Sequence, residues 1–175
     1  MTTTGELVAS VHIDAPPETV YPYFTDADLM VRWLGTTATL DPAPGGVFAV
    51  DAGDSAARGT YLSLNPPRSV VFTWGMPGSD TLPPGGTTVE VTLTPADGGT
   101  LVTLVHRGLP AEHRRSHEQG WRTFLGKLTT AAVGGRPASE QAARYPCLTG
   151  RTLPPSGACY DVWPSISSRA PDRAL

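Results

Sequence analysis

The chain has 175 residues, enough for one domain with a hydrophobic core. Charged residues make up 17% of it and the formal net charge is −3, which excludes the basic surface that nucleic-acid binding requires. The N-terminal MTTTGELVAS lacks the features of a secretory signal, and no apolar run approaches the ~20 residues of a membrane span, so a cytoplasmic protein is predicted.

The first predicted elements are a strand and a short helix. Residues 7–14 alternate between apolar and polar side chains, which is the pattern of a half-buried strand. Asp14 is the expected cap of a helix over residues 15–24, APPETVYPYF. Pro22 lies deeper in that segment and removes a helical hydrogen bond, so this helix is predicted to be short or kinked.

A second short helix is predicted over residues 26–34, DADLMVRWL. Thr25 or Asp26 is its expected cap, and Gly35 ends it. Its expected buried side chains are those of Leu29, Met30 and Trp33.

Strands follow from Gly45 onward, each bounded by turn residues. Residues 52–57 are predicted to be a loop of small residues between two of them. The turn Ala96-Asp97-Gly98-Gly99 predicts a hairpin between the last two. The predicted strand ranges are 45–51, 58–64, 68–75, 87–94 and 100–107.

Residues 110–133 have the pattern of a long amphipathic helix. Gly120 costs a helix interior about 1 kcal/mol relative to alanine, so a close approach of this helix to a strand or loop is expected there. The expected apolar stripe of the helix consists of His117, Trp121, Phe124, Leu128 and Ala131.

This order of elements predicts an α+β domain over residues 7–133. One helix ~10–12 Å across cannot cover about six strands spaced ~4.8 Å apart unless the sheet curls around it. We therefore predict a curved antiparallel sheet wrapped around the long C-terminal helix. Space is expected between the two, and an apolar molecule is the predicted occupant of that space.

Residues 134–175 have no sustained periodicity and are rich in Pro, Arg, Ser and Ala, so a flexible C-terminal extension is predicted. Cys147 and Cys159 in it are expected to be free thiols rather than a disulfide, as is usual in the cytosol. The alternative is an extension anchored to the domain by Tyr160, Val162, Trp163 and Ile166.

Several stretches are characteristic when they occur together in this order. They are IDAPPETVYPYFTDADLMVRWL (13–34), DPAPGGVFAV (41–50), NPPRSVVFTW (65–74), GGTLVTLVHRGL (98–109) and GWRTFLGKL (120–128). In this order they resemble the activator of 90-kDa heat-shock-protein ATPase homologue family, within the START-like SRPBCC superfamily.

The resemblance implies a helix-grip fold with a hydrophobic cavity between the long C-terminal helix and the sheet, and most members of the family are bacterial. Two features depart from the family pattern, namely Pro22 and the segment after Gly134. The eukaryotic activators also carry a separate chaperone-contacting N-terminal domain, for which no room is expected before Leu7. The family name therefore does not by itself predict chaperone activation.

The candidate ligand-binding residues are those expected to line the cavity. His106 is the one polar member and the one candidate for acid–base catalysis, although its first interpretation is a core histidine bonded to a neighbour. No catalytic residue is assigned. The predicted lining consists of Trp33, Phe48, Val50, Trp74, Val91, Leu104, His106, Trp121, Phe124 and Leu128.

No metal or cofactor site is predicted. His113 and His117 are four residues apart on the long helix, but no third ligand is evident, and a solvated helix face is the expected role of these residues. The sequence contains no phosphate-binding loop, dinucleotide fingerprint or nucleophile elbow.

Three functions are compatible with these observations. The first is a domain that binds a small lipid-like or aromatic molecule in the cavity. The second is a cyclase- or hydrolase-like enzyme that uses the same cavity. The third is a protein-interaction module, either a homodimer or a complex with another protein, which would expose an apolar patch outside the cavity.

Overall fold

The computed structural model describes residues 5–134, in which seven strands form one antiparallel sheet. The strand order is β1-β7-β6-β5-β4-β3-β2, so every strand except β1 follows its sequence neighbour across the sheet. The strands are β1 (Leu7–Ile13), β2 (Thr37–Leu40), β3 (Val47–Ala52), β4 (Ser55–Asn65), β5 (Ser69–Trp74), β6 (Thr87–Ala96) and β7 (Gly99–Arg107).

The helices comprise α1 (Pro17–Val20), a 3-10 turn (Tyr21–Phe24), α2 (Ala27–Met30) and the long α3 (Ala111–Gly134). The predicted α+β class with a long C-terminal helix is confirmed. No helix in the described part of the chain has both the length and the apolarity needed to cross a lipid bilayer. The extension beyond residue 134, with both cysteines, lies outside the described residues.

The seventh strand, β2, was not predicted. It has only four residues, TATL, and none of them is fully buried, so it lacks the alternation that marks a strand. It forms because the edge of β3 offers unpaired backbone groups, and Thr37 through Leu40 pair with Asp51 through Phe48.

The predicted loop at residues 52–57 is wrong. Gly53 adopts φ of +65° and makes a tight turn, after which Ser55–Ala57 pair with residues 50–52 of β3. The turn therefore places Ser55 and Ala56 on a strand of the sheet, at the edge of the candidate site described below.

Prolines and one capping side chain set where the N-terminal helices begin and end. Pro22 ends the regular helix, because α1 stops at Val20 and a 3-10 turn replaces it. The expected cap at Asp14 is wrong, since the N-cap is Pro16 and no side chain bonds there. Asp26 does cap α2, and its Oδ1 accepts hydrogen bonds from the backbone nitrogens of residues 28 and 29.

The buried face of α3 is centred on Trp121, Leu125, Leu128 and Ala132, which step by four, three and four. The predicted stripe shared only two of these residues. Phe124 and Ala131 are half-buried on one flank of it, and His117 is half-buried one turn before Trp121. Helical spacing alone was compatible with both stripes, and the sheet selected the one that it covers.

Two side-chain hydrogen bonds fix the 3-10 turn between the sheet and α3. The Tyr23 hydroxyl donates to the Ala131 carbonyl oxygen of α3 at 2.9 Å. The Tyr61 hydroxyl of β4 donates to the Phe24 carbonyl oxygen at 2.8 Å. The C-terminal half of the helix is thereby tied down, because buried hydroxyl groups are costly to leave unpaired.

Candidate functional site

A cavity of about 350 Å³ lies between the N-terminal half of α3 and the sheet. The start of β4, the end of β5 and the segment after β5 form one wall, and α3 forms the other. Its lining residues are Ser55, Ala56, Trp74, Met76, His113, Ser116, His117, Gly120, Trp121 and Phe124.

Only part of the predicted lining lies on this wall. Trp74, Trp121 and Phe124 contact the cavity, and Val50 lines a small adjoining pocket of about 30 Å³. The other predicted residues are at most 2% exposed and lie in the packed core, not on the cavity wall. They are Trp33, Phe48, Val91, Leu104, His106 and Leu128.

Aromatic packing closes the interior at those core positions. The rings of Phe48 and Phe72 stack with centroids 4.1 Å apart, and Tyr61 meets Phe48 edge-on at 5.6 Å. Rings from β3, β4 and β5 therefore fill the sheet's inner surface by contacting one another. Among residues 5–134, the cavity lies beside the N-terminal half of α3.

Sequence reasoning included Trp121 and Phe124 in the lining but missed four other helix residues there, namely His113, Ser116, His117 and Gly120. His113, His117, Gly120 and Phe124 step by four, three and four, so they share a second stripe beside the core stripe. That spacing was a usable signal, but the mixture of histidine and glycine resembled a solvated face. His113 and His117 are in fact half-buried.

His106 lies behind the cavity in a closed hydrogen-bond chain. The Trp121 Nε1–H donates to His106 Nδ1 at 3.1 Å, so Nδ1 carries no hydrogen and Nε2 does. His106 Nε2 then donates to the Thr87 hydroxyl at 2.8 Å, and Thr87 donates to the Trp74 carbonyl oxygen at 2.8 Å. Each donor in this chain has an acceptor.

Burial, and to a smaller extent the neighbouring His117, lowers the pKa of His106 to about 3. Protonation would also place a second N–H against the Trp121 indole N–H. Both ring nitrogens are thus committed, and His106 has none free to exchange a proton with a molecule in the cavity. His106 was the candidate for acid–base catalysis, and the enzyme hypothesis therefore loses the one residue on which it rested.

The stability of the domain should fall in acid because of His106. Its folded pKa lies below the ordinary value of about 6.5, so the unfolded chain binds the proton first as the pH falls. The destabilisation caused by His106 is nearly absent above pH 6.5. Below that pH it grows by about 1.4 kcal/mol per pH unit, down to about pH 3. Between pH 7 and 5 the wild type should lose about 2 kcal/mol more than His106→Leu, measured by urea unfolding at each pH. Equal losses in the two proteins would contradict this.

His117 is oriented by its own helix. Its Nδ1 lies 2.9 Å from the His113 carbonyl oxygen, which only accepts, so Nδ1 carries the hydrogen. Burial, the largest influence, lowers the pKa of His117, so the ring is neutral at pH 7. His113 Nε2 is bonded to the Thr81 hydroxyl at 2.7 Å.

The histidine pair has no third metal ligand beside it in the part of the chain that the structure describes. Within residues 5–134 no group of three or more His, Cys, Asp or Glu residues is placed to hold an ion. The rings of His113 and His117 lie 6.0 Å apart at a steep angle, as neighbouring side chains on one helix face do.

Gly120 does not serve a close approach of the helix, contrary to expectation. A Cβ built at this position meets nothing closer than Phe124 Cε2 at 3.8 Å, an ordinary contact. The missing side chain therefore leaves space in the cavity rather than room for a strand or loop.

Comparison with known proteins gives consistent results. The profile of the family described as Activator of Hsp90 ATPase homolog 1-like protein matches residues 14–132. The human protein named Activator of 90 kDa heat shock protein ATPase homolog 1 is 31% identical over 124 residues, which are 69% of this chain and 35% of that protein. The chain thus spans about a third of the length of that relative.

Solved structures agree with the fold. An AHSA1-like protein from Rhizobium etli is 34% identical, with a TM-score of 0.61, over 89% of this chain and 95% of its own. The Aha1 dimer from Colwellia psychrerythraea is 18% identical, with a TM-score of 0.67, over 76% of this chain and 99% of its own. The similarity to the Colwellia psychrerythraea protein, at 18% identity, shows the fold alone.

Proposed function

The chain belongs to the activator of Hsp90 ATPase homolog 1-like family, and we propose that it binds a small apolar molecule in the cavity between α3 and the sheet. The cavity carries this proposal. At about 350 Å³ it falls in the range of about 300–1,000 Å³ that is typical of ligand pockets.

The chemistry of the wall supports an apolar, uncharged occupant. Trp74, Trp121, Phe124 and Met76 supply large apolar surfaces, and Ala56 and Gly120 supply small ones. No lysine, arginine, aspartate or glutamate is among the lining residues of the described chain. A charged ligand would therefore lose its hydration without gaining a partner, which is costly.

The packing behind the wall supports a site that is already formed. The Trp121 indole is fixed by its bond to His106 and by Trp74, whose ring centroid lies 5.0 Å away. A rigid wall loses little conformational entropy when a ligand enters, and this favours binding.

Titration with naphthalene, followed by nitrogen–proton NMR, tests the proposal. The indole N–H signals of Trp74 and Trp121 should shift saturably because their rings form the wall. The signal of Trp33 should not, since that indole is bonded to the Tyr23 carbonyl oxygen in the core, away from the cavity. Shifts that do not saturate, or that affect the three indoles equally, would overturn the proposal.

A protein-interaction role is the second candidate, and exposed apolar side chains favour it. Val8, Val47, Leu62 and Leu101 are between 37% and 59% exposed on four strands of the sheet. The relative from Colwellia psychrerythraea is described as a dimer, and the human relative is named as a chaperone ATPase activator. Sedimentation equilibrium tests the homodimer, which a monomer at every protein concentration would exclude.

A further inference from the structure

The polar groups on the cavity wall differ in what they can still bind. The Trp121 N–H is used by His106, and His113 Nε2 is used by Thr81. The Trp74 N–H has no partner among the described residues, but it is sealed beneath the surface and a molecule in the cavity cannot reach it. Ser55 and Ser116 are exposed at the rim, and the Ser116 hydroxyl group donates to the His113 carbonyl oxygen at 2.9 Å.

His117 is the remaining group, and its geometry makes it a hydrogen-bond acceptor. Nδ1 donates to the His113 carbonyl oxygen, so in the neutral ring Nε2 carries a lone pair. Nε2 has no hydrogen-bond partner within residues 5–134 and is not among the buried unpaired polar atoms, and His117 lines the cavity. The His106 ring, 5.5 Å away and nearly perpendicular, supports the His117 ring from behind.

We propose that the ligand is a small neutral aromatic alcohol of the phenol class, whose hydroxyl group donates to His117 Nε2 while its ring lies among Trp74, Trp121 and Phe124. This inference rests on the proposed function and names the class of molecule that the same cavity selects. The three aromatic rings provide the surface for the flat part of the ligand, and the imidazole provides the single directed contact.

The residues that line the cavity also argue against other classes of ligand. A carboxylate or phosphate offers only acceptors, and it would need a protonated His117, which burial opposes. A hard metal cation would need carboxylate oxygens, and none lines the cavity among the described residues. A pure hydrocarbon fits the rings but leaves the Nε2 lone pair without a partner once water is displaced, which costs affinity.

The test compares 2-naphthol with 2-methylnaphthalene, in which a methyl group replaces the hydroxyl group at nearly the same size. Both are titrated by NMR into the full chain and into His117→Phe, which keeps a ring but removes the acceptor. The ratio of the two dissociation constants should shift against 2-naphthol by about three- to tenfold in the variant, as the loss of one net hydrogen bond implies. His117→Gln, which retains an acceptor, should restore part of the ratio.

The matched control is Thr130→Ala, which removes an exposed hydroxyl group of the same helix outside the cavity and should leave the ratio unchanged. The proposal is overturned if the ratio is the same in wild type and His117→Phe, or if Thr130→Ala changes it instead. If neither compound binds the wild type, the proposed function fails as well. Binding of both compounds with no dependence on His117 leaves that function intact and rejects only the ligand class.

Discussion

Replacing Gly120 with leucine is expected to reduce the affinity for naphthalene at least tenfold while making the folded domain more stable. The position has room for a side chain, because a Cβ there meets only Phe124 Cε2 at 3.8 Å. The added side chain lies in the cavity and takes the volume that the ligand would use. Removing a glycine from a helix interior stabilises it by about 0.5–1 kcal/mol.

Gly126→Leu is the matched control for this prediction. Gly126 lies in the same helix, is exposed, and has no atom within 4 Å of a built Cβ. It should therefore give the same gain in thermal stability with no loss of affinity. If Gly120→Leu binds naphthalene as the wild type does, the cavity is not the binding site; if it is destabilised, the cavity lacks the room described here.

The second large effect is expected at the buried pair His106 and Trp121. His106→Leu should lower the free energy of unfolding by about 2–4 kcal/mol, because it leaves the Trp121 N–H and the Thr87 hydroxyl short of a partner inside the core. Trp121→Phe removes the donor and leaves the His106 Nδ1 lone pair unpaired. The first change thus leaves two buried polar groups short of a partner, and the second leaves one.

The double variant distinguishes a specific bond from general packing. In His106→Leu with Trp121→Phe both partners of the bond are gone, so the combined loss should fall short of the sum of the single losses by about 1–2 kcal/mol. Urea unfolding of the four proteins at pH 7 measures this coupling. Losses that add within about 0.5 kcal/mol would show that the bond contributes nothing of its own.

The fold was largely predictable because its strands and long helix carry strong periodic patterns. Residues 87–94 alternate without interruption, and α3 lies within one residue of its predicted bounds at each end. β2 was not predictable, since TATL has no pattern of its own and is a strand only because β3 lies beside it. The cap at Pro16 was equally hidden, because it depends on backbone direction and uses no side chain.

The candidate site was predicted only in part, for a different reason. Trp74, Trp121 and Phe124 were expected on the wall because they are large and face inward, and they lie there. Phe48, Leu104 and Leu128 face inward too, but other side chains fill the space in front of them. The inward direction of a side chain follows from the two-residue repeat of a strand or the 3.6-residue repeat of a helix. Whether that side chain contacts a cavity depends on the residues that pack against it from other elements.

The sequence by itself determined the class of the fold and the alternating inward faces of its strands, because both follow from local spacing along the chain, and the order of its motifs resembled the family. Only the tertiary structure decided where the interior is filled and where it is open. It also decided that His106 is bonded on both nitrogens while His117 keeps one free. Those outcomes depend on groups far apart in the chain, such as Thr87 with His106 and His106 with Trp121, whose meeting no local pattern records.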